Sequence, residues 1–95
     1  MSVLTFVSAR IPPERHEEVI RPFAEAVRDG LPPTIRQTFL VVGDDDTVAI
    51  ASVWHQREDL DALLASGEEP FARRVLREAG GDPEARFFEI RVEGG

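Results

Sequence analysis

Apolar side chains recur at strand-like intervals in four segments of this chain. These segments are Val3–Arg10, residues 34–43, residues 47–56 and residues 85–92. The first segment is apolar on both alternating faces, with Val3 and Val7 on one face and Leu4 and Phe6 on the other. A strand with two apolar faces is usually covered on both sides. The pattern therefore predicts a sheet that is buried on both of its faces.

Helical spacing of apolar residues predicts three helices between the strands. The first helix begins after Pro12 and ends at Gly30. Its apolar face consists of Val19, Ile20, Phe23, Ala24 and Val27. Two shorter helices follow over residues 57–66 and residues 70–79. Pro22 lies inside the first helix, where it is expected to produce a kink that is either simply tolerated or opens a space above the sheet.

The order of these elements, β-α-β-β-α-(α)-β, is the split βαβ arrangement of ferredoxin-like domains. We therefore predict an α+β fold with one antiparallel four-stranded sheet, in a single domain that spans residues 1–95. The helices can cover only one face of this sheet. The other face is predicted to carry Val3, Val7, Ala49, Ala51 and Val53. This apolar surface is too large for a monomer, so we expect a second copy of the chain to cover it in a homodimer.

Composition and charge narrow the classes of function. The formal net charge of −7 makes nucleic acid an unexpected partner, because an acidic domain repels phosphate. All eleven basic residues are arginine, which excludes chemistry through a lysine Schiff base. The sequence contains no recognisable targeting signal and no apolar run of membrane-spanning length. We therefore expect a cytoplasmic protein with no membrane partner.

The sequence predicts neither a metal site nor a resident cofactor. Three adjacent aspartates at residues 44–46 lack the ligand spacing of a calcium loop and indicate a solvated turn. The two histidines, His16 and His55, form no zinc-binding motif, and the absence of cysteine excludes thiolate ligands. Ser52 has no paired base at a recognisable spacing, so nucleophilic catalysis is not supported.

Three residues are candidates for a functional site. His16 falls on or beside the apolar stripe of the first helix, where it is either a base near neutral pH or a partly exposed helix residue. Arg36 shares a strand face with Thr38 and Leu40, where its guanidinium either pairs with a ligand oxyanion or is solvated at the surface. Trp54 ends the third strand, where it is either an anchor of the packing or part of a ligand site.

The predicted faces converge on an apolar pocket beneath the first helix. The residues expected to line it are Phe6, Phe23, Leu40, Ile50 and Leu64. Such a pocket accepts a planar aromatic ligand, with His16 taking a proton and Arg36 pairing with the resulting oxyanion. The alternative is that the same side chains simply fill a packed core.

The stretch around Trp54 carries a family resemblance. Its components are Val53-Trp54, Arg57-Glu58-Asp59-Leu60, Leu63-Leu64 and Pro70-Phe71. This run resembles the antibiotic-biosynthesis-monooxygenase-like family of dimeric α+β barrels, and the order of elements extends the likeness over nearly the whole chain. The resemblance implies a dimeric α+β barrel. Family members include cofactor-free oxygenases that act on polycyclic aromatic phenols and quinols.

Three functions are compatible with these features. The resemblance favours a small cofactor-free monooxygenase that acts on an apolar aromatic molecule of the quinol or phenol type. The alternative is a ligand-binding or accessory dimer without catalysis. Haem binding is the least favoured function, because the chain has no asparagine, and Leu63 and Val75 stand where haem-degrading members have tryptophan and histidine.

Overall fold

The structure is a computed structural model and describes residues 2–95. Its elements are β1 (Val3–Arg10), a 3-10 turn (Pro13–Arg15), α1 (Glu17–Asp29), β2 (Ile35–Val42), β3 (Thr47–Trp54), α2 (Arg57–Ala65), α3 (Phe71–Glu78) and β4 (Glu84–Glu89). The four strands form one antiparallel sheet in the order β2-β3-β1-β4. The predicted α+β, ferredoxin-like fold is confirmed. No helix within residues 2–95 has the length and apolar character needed to cross a membrane.

The last strand is shorter than the sequence pattern predicts. It ends at Glu89, so Ile90 and Val92 lie outside the regular pairing. One further backbone hydrogen bond follows, from the N–H of Ile90 to the carbonyl oxygen of Ser2 at 3.1 Å. The chain then leaves the sheet, and Val92 is almost fully exposed.

Left-handed backbone at two positions lets the chain leave α1 and turn between β2 and β3. Gly30 caps α1 with a φ of +106°, a conformation that favours glycine, and its N–H donates to Val27. Asp46 adopts a φ of 66° in the β2–β3 turn. Hydrogen bonds from Thr47 to the Asp45 carboxylate lower the pKa of Asp45. The aspartates therefore build a hairpin turn, as predicted.

The register between strands decides which side chains face the helices. Val7 pairs with Ile50 and Val3 pairs with Trp54, and directly paired residues share a face of the sheet. Val3 and Val7 are therefore directed toward the helices, and their predicted place on the uncovered face is wrong. That uncovered face, called the open face below, carries Leu4, Phe6, Phe39, Val41, Ala49, Ala51, Val53 and Phe88.

The core between helices and sheet is divided into two clusters. The larger cluster packs α1 and α3 against the sheet through Val7, Val19, Val48, Ile50, Val75 and Leu76. The smaller cluster comprises Val3, Trp54 and Leu60, with Ile35 and Leu63 packed against it. Apolar packing is thus continuous within each cluster, and a space remains between the two.

Gly81 holds the end of α3 close to β1, and we expect its replacement by alanine to destabilise the fold. An added Cβ would lie 2.7 Å from the Ala9 Cβ and 3.1 Å from the Leu76 carbonyl oxygen, and neither atom can move without the backbone. Overpacking of this kind costs about 1–3 kcal/mol. Urea denaturation of Gly81→Ala measures the loss. Gly94→Ala is the matched control, because a Cβ there meets nothing within 4 Å, and equal stability of the two variants would contradict the prediction.

Candidate functional site

A cavity of about 740 Å³ lies between the helices and the sheet. Its walls include Phe23, Ala26 and Val27 of α1, Leu60, Leu63 and Leu64 of α2, and Phe71 and Ala72 of α3. Its floor on the sheet includes Thr5, Val7, Thr38, Ile50, Ser52, Trp54, Ala85 and Phe87. Members of both core clusters contribute to this lining, so the cavity occupies the space between the clusters. Its volume is within the range of small-molecule sites.

One row of hydroxyl side chains crosses the otherwise apolar floor. Thr5 pairs directly with Ser52, and Ser52 pairs directly with Thr38, so the three residues form a line across β1, β3 and β2. The neighbouring rows are apolar, with Val7 beside Ile50 on one side and Val3 beside Trp54 on the other. Thr5 and Ser52 are buried, and Thr38 is half-buried. The floor therefore presents its polar atoms in one strip, called the hydroxyl row below.

The hydroxyl row is connected by hydrogen bonds. The Thr38 and Ser52 hydroxyl oxygens are 2.9 Å apart, and the Thr38 hydroxyl also donates to the Ala51 carbonyl oxygen at 3.0 Å. The Trp54 indole N–H donates to the Thr5 hydroxyl oxygen at 3.1 Å. Within residues 2–95, no buried side-chain nitrogen or oxygen lacks a partner. The protein's own contacts thus fix the orientation of these side chains before any ligand binds.

The rim of the cavity is charged, with an excess of carboxylates. Asp59, Glu68 and Glu69 contribute to it, together with Arg73. Arg77 donates two hydrogen bonds to Glu69, at 2.7 and 2.9 Å, and this contact lowers the pKa of the Glu69 carboxyl. Glu69 is therefore ionised at neutral pH. A rim of this kind favours neutral ligands over anionic ones.

Four of the eight residues predicted for the site and its pocket line the cavity. They are Phe23, Ile50, Trp54 and Leu64. Their role in binding a ligand stays a prediction. Two further residues of the predicted pocket lie elsewhere, because Phe6 is on the open face and Leu40 packs against the larger core cluster.

His16, the predicted base, lies outside the cavity. It precedes α1 as its N-cap, and its Nε2 lies 2.7 Å from the Ile11 carbonyl oxygen. A carbonyl oxygen can only accept, so this contact places the proton of a neutral ring on Nε2. The cavity contacts α1 at Phe23 and beyond, about 10 Å further along the helix. The His16 side chain therefore contacts the chain just before the helix and does not line the cavity.

Arg36, the predicted oxyanion partner, also lies outside the cavity. Ile35 pairs with Trp54 and Gln37 with Val53, so Arg36 is the extra residue of a β-bulge. Without the bulge, the alternation of side chains along β2 would place Arg36 on the same face of the strand as Thr38. Its exposed guanidinium forms an ion pair with Glu93 of the C-terminal tail.

The residues of the cavity do not match a metal or haem site. Among residues 2–95, no group of three or more His, Cys, Asp or Glu side chains is placed to hold a metal ion. The described residues that line the cavity include no histidine, cysteine, methionine or tyrosine, the usual axial ligands of haem iron. These residues therefore offer haem iron none of its usual axial ligands.

Comparison with known proteins relates this chain to others through its fold. No protein-family model matches the sequence, and no curated protein matches it either. SnoaB, a cofactor-independent oxygenase from Streptomyces nogalater, is 14% identical and superposes with a TM-score of 0.67, over 97% of this chain and 95% of that chain. Rv0793 from Mycobacterium tuberculosis is 13% identical with a TM-score of 0.68, and the whole of each chain is covered.

A monooxygenase from the gene ActVA-Orf6 of Streptomyces coelicolor, solved in complex with nanaomycin D, gives a TM-score of 0.72. It is 13% identical, and the superposition covers 97% of this chain and 89% of that chain. At identities this low, the superpositions establish a shared fold but do not assign an activity. The predicted resemblance is thus confirmed at the level of the fold, and this chain has the fold of the antibiotic-biosynthesis-monooxygenase-like proteins.

Proposed function

We propose that this protein is a cofactor-free, monooxygenase-like protein that acts on a neutral aromatic molecule of the phenol or quinol type. The observation that carries the proposal is the cavity itself, with apolar walls and a single hydroxyl row on its floor. A flat aromatic ring system fills such a space by apolar contact, and one ring oxygen meets the hydroxyl row. The fold shared with two named oxygenases supports the same function.

Each part of the cavity has a defined task in this proposal. Phe23, Leu60 and Phe71 exclude water from the ring and hold its plane. The hydroxyls of Ser52 and Thr38 fix the orientation of the ring oxygen. The carboxylates at the rim disfavour ligands that carry an additional acidic group.

The proposed reaction uses dioxygen as the only co-substrate. With an anthrone, one oxygen atom replaces the two methylene hydrogens as a carbonyl, and the other oxygen leaves as water. The carbon loses four electrons, and dioxygen gains four. The protein's part is to exclude water, to orient the substrate and to hold its oxygen at the hydroxyl row.

Oxygen uptake with anthrone tests the proposal. We expect saturable uptake of one dioxygen per anthrone, faster than in buffer, with anthraquinone as the product. Ala26→Phe projects a ring into the cavity and is expected to lower the rate by about tenfold or more. Glu25→Phe is the matched control, because it adds the same ring one position away, at an exposed residue that does not line the cavity. Equal rates for the two variants would contradict the proposal.

A second function, ligand binding without catalysis, is supported by one observation. The hydroxyl row contains no group that titrates near neutral pH, and both His16 and Arg36 lie outside the cavity. A binding protein needs only the apolar walls and the hydroxyl row. Saturable binding of anthrone without oxygen uptake above the buffer rate would favour this function.

The proposed functional unit is a homodimer formed through the open face. Phe39 and Val41 at one edge of that face and Phe88 at the other edge are exposed in the single chain. The half-buried Leu4 and Phe6 lie between them, and an apolar surface of this extent is unusual for a monomer. Packing two open faces against each other would bury an obligate type of interface, of roughly 2,000 Å² or more in total. The cavity lies on the opposite side of the sheet and stays accessible in such a dimer.

A further inference from the structure

We infer that the Ser52–Thr38 pair of the hydroxyl row presents a hydrogen-bond acceptor and no free donor to the cavity, and so selects the hydrogen-donating form of an aromatic ligand. The chemical class selected is a phenol or hydroquinol, in preference to the corresponding quinone or ether. This inference rests on the proposed function, because it concerns which ligand the same cavity prefers.

The hydroxyl hydrogens of Ser52 and Thr38 can be assigned from the contacts of the two side chains. A carbonyl oxygen can only accept, so the 3.0 Å contact with Ala51 requires the single hydroxyl hydrogen of Thr38. Thr38 then has no hydrogen left for Ser52, and the 2.9 Å contact between their oxygens must use the hydrogen of Ser52. Both hydrogens are thereby directed at protein atoms. Ser52 retains unused lone pairs, which can accept a hydrogen from a ligand.

The other end of the row holds its hydrogen less firmly. The indole N–H of Trp54 can only donate, and it donates to the Thr5 oxygen at 3.1 Å. Trp54 therefore has no second hydrogen to offer a ligand. The Thr5 hydroxyl points at the Ser52 carbonyl oxygen over a long 3.5 Å contact, so Thr5 discriminates weakly between donor and acceptor ligands. The Ser52–Thr38 pair therefore carries the selectivity.

A ligand that only accepts hydrogen bonds can bind the Ser52–Thr38 pair only after a rearrangement of the two hydroxyls. Thr38 must release Ala51 and donate to Ser52, so that the Ser52 hydrogen becomes free to point at the ligand. That exchange loses one hydrogen bond within the protein. One net hydrogen bond changes affinity by roughly three- to tenfold, which is the expected preference for a donor ligand. In the proposed oxidation of an anthrone by dioxygen to a quinone and water, the enol form of the substrate carries a hydroxyl hydrogen and the product does not, so the same preference holds the substrate and releases the product.

Isothermal titration with two naphthalenes measures the preference without any redox chemistry. 1-Naphthol carries a hydroxyl hydrogen, and 1-methoxynaphthalene carries the same oxygen without it. For the unmodified protein, 1-naphthol is expected to bind roughly three- to tenfold more tightly. A further titration without oxygen compares 1,4-naphthohydroquinone with 1,4-naphthoquinone, where the hydroquinol is expected to bind more tightly.

Two variants separate the roles of the pair. Ser52→Ala removes the acceptor, so 1-naphthol should lose its advantage while 1-methoxynaphthalene binds as before. Thr38→Val removes the acceptor of the Ser52 hydrogen, so that hydrogen becomes free for a ligand and 1-methoxynaphthalene should gain affinity. The ratio of the affinity for 1-naphthol to that for 1-methoxynaphthalene should then fall because the ether binds more tightly. Thermal unfolding of each variant checks that it is folded, and either variant alone suffices for the test.

The outcomes distinguish this inference from the proposed function. Failure of both naphthalenes to bind would contradict the proposed function. Equal binding of the two naphthalenes to the unmodified protein would overturn the inference and leave the proposed function standing. Tighter binding of the ether would also overturn it, since the inference requires 1-naphthol to bind more tightly.

Discussion

Replacement of Trp54 by alanine is expected to lower the free energy of unfolding by about 3–5 kcal/mol, as is usual when a large aromatic side chain is removed from a core. Trp54 is only 8% exposed and packs with Val3 and Leu60 in the smaller core cluster. Its removal also leaves the Thr5 oxygen without the indole N–H. Urea denaturation followed by circular dichroism measures the change, since the variant has no tryptophan for fluorescence.

Trp54→Phe separates packing from the hydrogen bond at this position. Phenylalanine keeps most of the apolar contact and loses the indole N–H, so a smaller loss of about 1–2 kcal/mol is expected. A Trp54→Ala variant with unchanged stability and no ligand binding would show that Trp54 serves only the ligand site. That result would contradict its role in joining α2 to the sheet.

Ala51→Arg is expected to abolish the proposed homodimer. Ala51 lies in the middle of the open face, between its strand partners Phe6 and Phe39. An unpaired charge buried there costs about 3–5 kcal/mol, which raises the dissociation constant on the order of a thousandfold. Sedimentation velocity at micromolar concentration should show a dimer for the unmodified protein and a monomer for the variant. A stable monomer in both would contradict the homodimer.

Ala51 is already buried in the single chain, so its replacement by arginine affects the fold of the monomer as well as the interface. Two neighbouring residues that are exposed in the single chain supply a matched pair of variants for the interface alone. Val41 and Val42 are 46% and 48% exposed and differ in the face they occupy. Val41 pairs with Ala49 on the open face, whereas Val42 pairs with Val48 on the helix side. Val41→Arg should weaken the dimer, and Val42→Arg should not. Equal sedimentation of these two variants would exclude the open face as the interface.

The fold was predictable from the sequence, but the faces of β1 were not. Periodicity identified every strand and helix, because apolar spacing and the flanking Pro and Gly residues agree. In β1, however, Val3 and Val7 are as apolar as Leu4 and Phe6, so the pattern within the strand does not reveal which set faces the helices. The pairing with β3 decides it, and that pairing depends on register between distant segments.

The lining of the cavity was even less predictable from the sequence than the faces of β1. Alternation placed Arg36 on one face with Thr38 and Leu40, as either a ligand partner or a solvated residue, and a bulge of one residue turns it outward. Thr5, Thr38 and Ser52 were not predicted as a site, although each is a hydroxyl residue within an apolar strand. Only the register aligns them into one row. A search for hydroxyl residues within apolar strands would have included all three.

Fluorescence of Trp54 during titration with 1,4-naphthoquinone tests most directly whether the cavity binds an aromatic ligand. Trp54 is the only tryptophan, the chain has no tyrosine, and Trp54 lines the cavity, so the emission reports on this site alone. Binding predicts saturable quenching with one ligand per chain, weakened by Ala26→Phe and unchanged by Glu25→Phe. Linear quenching in all three proteins, with the slope found for free N-acetyltryptophanamide, would show that no ligand occupies the cavity.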